Sequence, residues 1–520
     1  MRQLQALFLL AIVISLSSCR KDFETVPSQQ GNLVFSKNTV YLDTVFTNIS
    51  SSTYTLKVYN RTNKDIRIPS IHLKKTDSKY RLLVDGMTGV DADQNGIGDG
   101  KAFNNVELLA KDSLYIFIET TANIADANPT DFLYTDEIDF ESINGVQKVD
   151  LVTLIQDAVF LYPEKYSDGS KETLHLGTDS AGASVDVIGF ELNESDPIHG
   201  NELHFTNAKP YVIYGYAGVP DGKTLTIDPG TKVYFHAESG MIVQPGGSLQ
   251  INGGVSSNPE HPQQNEVTFE GDRLEPIYED VPGQWGTVWL REGSVNNKIE
   301  HLTLKNATVG LLVESCPLEI NHSQLYNFSN YGILARTAGI LSQNLVVNLA
   351  GQATLACSIG GSYDFRNCTF NNNWNGSDQR AVLLSNYEDN GNGTASAADL
   401  IKANFYNCII YGANNVELLL DKVDDKLFEF DLKNCLVKFR DEGTALVTNT
   451  LYDAIREGNS KANLINKDPK FKNANANKLN IEADSPAATA GGNFGVTIDV
   501  NGNPRTTFDI GAYQSAPFAN

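Results

Sequence analysis

Residues 365–372, "FRNCTFNN", and 405–412, "FYNCIIYG", are two copies of one short unit. An aromatic residue opens each, Asn-Cys fills the third and fourth places, and an apolar residue follows in the sixth. Residues 432–439, "LKNCLVKF", repeat the pattern with Leu in front. Three more divergent segments precede them: "IEHLTLKN" at 299–306, "INHSQLYN" at 320–327 and "LSQNLVVN" at 341–348. The starts lie 21, 21, 24, 40 and 27 residues apart. Self-similarity at such periods marks coils that stack on one another, with longer steps as loop insertions. In this register Ile299, Ile320, Leu341, Phe365, Phe405 and Leu432 form one stack. Leu302, Ser323, Asn344, Cys368, Cys408 and Cys435 form a second. Asn306, Asn327, Asn348 and Asn372 share one turn, where side-chain amides bond coil to coil and tolerate left-handed angles.

The repeat resembles the right-handed parallel β-helix of pectate-lyase-like proteins. That resemblance implies an all-β chain whose strands line three faces of a long coil. It also explains the cysteines, since Cys368, Cys408 and Cys435 read as small apolar fillers in a stack. Stacked positions lie about 4.8 Å apart. Parallel side chains hold their Cβ atoms farther apart than a disulfide prefers, so buried thiols are expected. No CxxC pair or zinc-finger spacing occurs.

Working outward, residues 32–157 carry short alternating strands such as "TVYLDTVF", "YTLKVYN" and "SLYIFIE", separated by turn residues. Seven or eight strands over so short a span predict a β-sandwich. The wording resembles immunoglobulin-like accessory domains of bacterial surface lipoproteins. Past the repeats, "DPKF", "DSPA" and "DIGAYQ" resemble the closing segment of many bacterial β-helix proteins. There Arg505 is expected to pair with Asp499 or Asp509, and the segment to cover the open end of the coil.

The first residues read "MRQLQALFLLAIVISLSSC". Arg2 precedes an apolar run too short to span a bilayer, which marks a secretion signal. The ending Leu16-Ser17-Ser18-Cys19 resembles a bacterial lipobox. That implies about three acyl chains on Cys19, each adding roughly 0.8 kcal/mol per buried methylene. No Asp follows Cys19, and Arg20-Lys21-Asp22-Phe23-Glu24 resembles, in part, the surface-export signal of Bacteroidota-type lipoproteins. The implied address is the outer membrane, lipid-anchored and facing outward. The expected organisation is a lipoprotein signal peptide over 1–18, a tether over 19–31, an immunoglobulin-like β-sandwich over 32–157, a linker and N-terminal cap over 158–200, a right-handed parallel β-helix over 201–465 and a C-terminal cap over 466–520.

The chemistry is less explicit. The formal net charge of -23 repels phosphate backbones, and no basic stripe offsets it, so nucleic acid is not an expected partner. Galacturonan hydrolases of this shape carry Asn-Thr-Asp, Asp-Asp, Gly-His-Gly and Arg-Ile-Lys on successive coils; here only an Asp-Asp pair, Asp424-Asp425, appears, without the other three. Arg291, Arg336, Arg366, Arg380 and Arg440 share no evident register with an acidic cluster. Glu300 and Glu319 fall in different coil positions and read as solvated charges. His301 and His322 occupy one position on adjacent coils, suited to a metal or an acidic sugar, or more commonly to a half-buried ladder. No residue is assigned to catalysis.

Two loops carry the aromatic and amide mix that stacks on sugar rings. The first offers Trp374, Tyr387, Asp389 and Asn390; the second offers Tyr278, with Trp285 expected in the core. The expected role is a binding or scaffold module, with surface glycan or polysaccharide as partner. A polysaccharide lyase or glycoside hydrolase is the competing reading, since fold alone does not assign activity. In "GVDADQNGIGDG", residues 89–100, Asp91, Asp93, Asn95, Ile97 and Asp99 match the early positions of a calcium loop. Ala102 stands where an EF-hand needs Glu, and both flanks read as strands. A short structural calcium loop and a solvated insertion both remain open.

Overall fold

The computed structural model describes residues 25–179, 182–256, 264–391, 393–457 and 461–518. Cys19 lies outside these. The chain divides into two compact units, Met1–Asp157 and Ala158–Asn520. No helix among the described residues is long and apolar enough to cross a membrane.

The first unit is built from two sheets. Val26–Pro27, Ile66–Leu73, Leu133–Ser142, Gly145–Gln156 and Thr39–Phe46 pair in that order, with Ala102–Leu108 on Ile66–Leu73. Leu33–Phe35, Tyr54–Asn60, Ser113–Thr120 and Tyr80–Val84 form the other. Alternation decides the faces: Leu56 and Val58, Ile116 and Ile118, Ile138 and Phe140 all turn into one shared core. Thr39–Phe46 runs parallel to Gly145–Gln156, and its register breaks between Tyr41 and Thr44. Asp43 supplies the break with φ 38.

The second unit repeats a three-sided path. Asn297–Glu300, Leu302–Lys305, Val309–Glu314 and Pro317–Asn321 follow one another, and the fourth pairs in parallel with the first. Among the described residues such coils build sheets of eleven, ten and nine strands, parallel except where Thr173–Thr178 pairs antiparallel with Ser184–Glu191 at the start of the ten-stranded sheet, and compatible with a β-helix. Leu302–Lys305 belongs to the eleven-stranded sheet, Val309–Glu314 to the ten-stranded and Asn297–Glu300 to the nine-stranded. Parallel pairing already begins at Val159–Leu161, which pairs with Tyr211–Ile213, so the first rung lies inside the span read as linker and cap.

The interior column on the nine-stranded sheet is Ile299, Ile320, Ser342, Phe365, Phe405 and Leu432. Leu341, expected in that column, is 54% exposed, whereas Ser342 is 3% exposed. The third segment thus enters one residue later than its apolar first letter suggests, and a one-residue slip exchanges faces along a strand. The same slip corrects Asn344. It is not a filler beside the cysteines; Leu345 is the buried residue after that corner. Asn348 likewise sits inside Val346–Ala350, paired with Asn371. Leu349, φ 58, takes the corner place shared by Asn306 and Asn327. At that corner Asn372 Nδ2 donates to the Ala350 carbonyl at 2.8 Å, bonding coil to coil.

The tightest corner, between the nine- and eleven-stranded sheets, is one or two residues long and turns on a single left-handed residue. His301, His322, Asn344, Asn367, Asn407 and Asn434 occupy it on successive coils with φ of 47, 49, 54, 51, 53 and 51. Asn and His both tolerate this left-handed region better than bulky or β-branched residues do. Directly after it Cys368, Cys408 and Cys435 are buried free thiols, as are Cys316 and Cys357. Trp285 is buried and stacks on Phe235 at 4.2 Å.

The C-terminal end departs from expectation. Tyr452 and Ile455, on short helical turns at Thr450–Tyr452 and Asp453–Arg456, join the interior core. The Tyr452 hydroxyl donates to the Leu420 carbonyl at 3.0 Å and accepts from the Leu420 amide at 2.8 Å. These turns cap the coil. Residues 466–518, expected to do so, run along its side. Leu479, Val500, Ala512 and Tyr513 pack on Tyr326 and Val346, and Ile481, Ala487 and Ile510 pack on Ile409 and Leu436. The physical reason is that these outward residues of the eleven-stranded sheet are apolar and need cover. Corner asparagines hold the segment: Asn344 donates to the Ile498 carbonyl at 2.9 Å, Asn367 to Asp509 at 3.0 Å and Asn434 to Ala490 at 3.1 Å. Arg505 donates to Asn344 Oδ1 at 2.8 Å and to the Gly511 and Ala512 carbonyls at 2.9 and 3.0 Å, in place of the expected bonds to Asp499 or Asp509.

Candidate functional site

Each sheet of the coil presents a different outer face. The eleven-stranded face is covered along its later coils by residues 466–518. The nine-stranded face is charged and amide-rich, with Lys298, Glu319, Leu341, Asp364, Asn404 and Asp431 in one outward column. Its charges are largely paired, as in Arg366 with Asp364 at 2.8 Å.

The ten-stranded face is different. Ile242, Trp289, Leu312, Leu334, Ala356, Leu383 and Leu419 stand in register across seven coils. They alternate with interior residues such as Leu311 and Val313, so their side chains point outward. The result is an apolar ladder at the strand-to-strand spacing of a parallel sheet, in which Trp289, Leu312, Leu334, Leu383 and Leu419 are half-exposed and Ile242 and Ala356 are buried.

One edge of this face is a chain of charge-assisted hydrogen bonds. Trp289 Nε1 donates to Glu314 Oε2 at 2.7 Å. Arg336, in register with Glu314, donates to Glu314 Oε1 at 3.2 Å. It also grips Glu388 with two nitrogens at 3.0 and 2.8 Å. Burial pulls the guanidinium pKa down, and the two carboxylates outweigh it, leaving it above its usual value. The sequence showed no acidic partner for Arg336. Glu314 sits one coil before it, and Glu388 reaches it through the hairpin Tyr387–Asp389 and Ala395–Ala397, a contact that linear spacing does not encode.

The residues proposed for sugar contact lie on both edges of the ten-stranded sheet rather than in one cluster. Tyr278 and Trp374 are on connections that leave the eleven-stranded sheet and enter the ten-stranded one. Trp374 is half-buried, and its carbonyl accepts from Gln379 Nε2 at 2.7 Å. The Arg273 guanidinium covers the Tyr278 ring at 3.6 Å. Tyr387, Asp389 and Asn390 belong to the hairpin on the opposite edge. The Tyr387 hydroxyl donates to Asp421 Oδ2 at 2.9 Å, which raises its pKa. Asp389 accepts from the Gly391 amide at 2.8 Å, and Asn390 Nδ2 donates to Thr394 Oγ1 at 3.1 Å.

In the first unit, the 91–99 loop brings Asp91, Asp93 and Asp99 together, with one carboxylate oxygen of each within 4.8 Å of the others. Asp91 accepts the Gly96 amide at 2.8 Å and the Asn95 amide at 3.1 Å. The Gly96 bond is the main cause that holds its carboxyl below the usual range. Asn95 Oδ1 accepts the Ile97 amide at 2.9 Å, and the Ile97 side chain is exposed. Three clustered carboxylates are an oxygen donor set of the kind calcium takes.

Comparison with known proteins places little beside this chain. No protein-family model matches it, and no curated protein matches it. Among solved structures, a PapD-like domain of human CEP192 aligns at 12% identity and a TM-score of 0.15, over 24% of this chain and 86% of that one. A family 123 glycoside hydrolase from Clostridium perfringens aligns at 6% identity and a TM-score of 0.16, over 29% of this chain and 38% of its own. The catalytic domain of a GH87 alpha-1,3-glucanase in complex with nigerose aligns at 10% identity and a TM-score of 0.15, over 75% of this chain and 82% of that one. At these scores the alignments carry no argument about activity.

Proposed function

We propose that this chain is a cell-envelope lipoprotein, anchored through Cys19 in the outer membrane and exposed at the cell surface. In this reading the first unit is an immunoglobulin-like stalk and the second a right-handed parallel β-helix. The helix binds surface glycan or polysaccharide along its ten-stranded flank.

The observation that supports this best is the outward ladder from Ile242 to Leu419. Its half-exposed members, Trp289, Leu312, Leu334, Leu383 and Leu419, offer an apolar strip on a rigid scaffold, edged by the Trp289–Glu314–Arg336–Glu388 chain. Sugars are bound by apolar stacking along their faces and charge-assisted hydrogen bonds at their edges. A linear chain laid along the coil axis meets leucine at the rungs of Leu312, Leu334, Leu383 and Leu419, and the charged edge beside Trp289, Glu314 and Arg336.

The competing reading is a polysaccharide lyase or hydrolase at the Glu314 and Glu388 carboxylates. Retaining and inverting glycosidases need one free acid and one free base or nucleophile. Here both carboxylates are held on one guanidinium, which favours binding over catalysis. A glycan array read alongside a reducing-end assay on the same samples separates the two. Bound glycan without new reducing ends is the expected result, and Trp289→Ala weakens it. Released product sinks the binding-only reading, and no glycan signal sinks both.

A further inference from the structure

The six left-handed corner residues are not chemically alike. Asn344, Asn367, Asn407 and Asn434 each donate a side-chain bond to the C-terminal segment. The other two positions carry histidine, and His301 and His322 stack on each other, centroids 4.9 Å apart and planes 16° from parallel. Glu300 precedes the first, and its Oε2 lies 3.2 Å from His322 Nδ1. One ligand atom from each of the three side chains lies within 4.8 Å of the others. Asn321 Nδ2 donates to Glu300 Oε1 at 3.0 Å and to Glu319 Oε1 at 2.9 Å, so the carboxylate is oriented from behind.

Other histidines of the described residues face a carboxylate rather than another imidazole: His72 with Asp139, His175 with Asp186, His199 with Glu202, His204 with Asp228 and His236 with Asp272. The corner pair alone among them sets two imidazoles and a carboxylate side by side.

We propose that His301, His322 and Glu300 form a binding site for a divalent zinc ion that ties adjacent coils together at this corner. Two imidazoles and a carboxylate are a zinc donor set that leaves one position for water. Zinc takes imidazole nitrogen at about 2.0–2.1 Å along the in-plane lone pair, so binding requires the stacked rings to tilt apart until both lone pairs converge on the ion. Asn321 acts as the outer support that orients the carboxylate.

The corner itself supplies a conservative variant. Asn occupies this position in four other coils, so His301→Asn with His322→Asn keeps the left-handed turn. The full chain in detergent, stripped of metal with chelator, is titrated with zinc by calorimetry and with cobalt by visible absorption. The parent takes up one more zinc than the double variant and shows a tetrahedral cobalt band that the variant lacks. Asn321→Ala weakens that site by roughly tenfold or more. Melting of the apo proteins shows that the double variant folds. Equal zinc stoichiometry and affinity in parent and double variant, or a cobalt band that survives the double substitution, overturns the assignment. So does a parent that binds no zinc.

Discussion

Replacing Asn407 with Ala probes how the C-terminal segment is held to the coil. Asn407 Oδ1 accepts the Gly492 amide at 2.8 Å, and its Nδ2 donates to the Gly492 carbonyl at 2.8 Å. Losing both removes about 2–3 kcal/mol, because each bond is worth roughly 1 and the deserted groups are partly buried. The backbone at 407 is left-handed, φ 53. There Ala adds a Cβ penalty of about 1 kcal/mol that Asn largely escapes. The expected cost is therefore about 3–4 kcal/mol, concentrated in residues 490–511. Asn407→Gly loses the same bonds without the Cβ penalty and is about 1 kcal/mol milder. Native-state hydrogen exchange is the assay, since local opening free energies are read segment by segment. Amides in 490–511 are expected to exchange roughly 10²–10³-fold faster in the Ala variant, while those of the interior strands change little. A change below about tenfold, or a Gly variant as damaging as the Ala variant, refutes the reasoning.

Three further outcomes are expected. Leu341→Ser is close to neutral, within about 0.5 kcal/mol, because the side chain is in water; Phe405→Ala, in the interior column, costs about 3–5 kcal/mol, and denaturant unfolding that ranks them the other way would return Leu341 to the core. Burial pushes the Glu417 carboxyl up to about 7 from 4.5; the folded state then holds its proton more tightly than the unfolded one. The resulting stability is fully present below pH about 4.5 and is lost as pH rises through about 7, a swing of roughly 3 kcal/mol. Glu417→Gln flattens that part of the stability curve, and an unchanged pH dependence of melting counts against it. Millimolar calcium raises the melting temperature of the parent by binding at Asp91, Asp93 and Asp99, and Asp93→Ala abolishes the rise; no rise in the parent identifies the loop as a solvated insertion.

The all-β class and the stacked coils were legible in the sequence because a solenoid writes its period into the chain. Phe365, Phe405 and Leu432 recur with Asn-Cys two and three places on, and the structure stacks them. The third segment was misplaced because "LSQNLVVN" puts apolar letters at both parities, and letters alone cannot tell Leu341 from Ser342 as the buried one. The flank position of residues 466–518 was also hidden. Its apolar residues suit an open coil end and a sheet face equally, and the end was already filled by Tyr452 and Ile455.

Of the candidate sites, the sequence supplied the aromatic loops, the 91–99 carboxylates and the alignment of His301 with His322. It could not join Trp289, Glu314, Arg336 and Glu388, which come from four separate elements. By itself, then, the sequence determined the repeat, the left-handed turns at Asn306 and Asn327 and the cysteine fillers, since these depend on local backbone preference and on a period read along the chain. The tertiary structure alone decided which face each side chain takes, which sheet the C-terminal segment covers and which charges meet on the ten-stranded flank. Those depend on the parity of strand register and on packing between distant coils, and a one-residue shift changes them without changing the composition of the repeat.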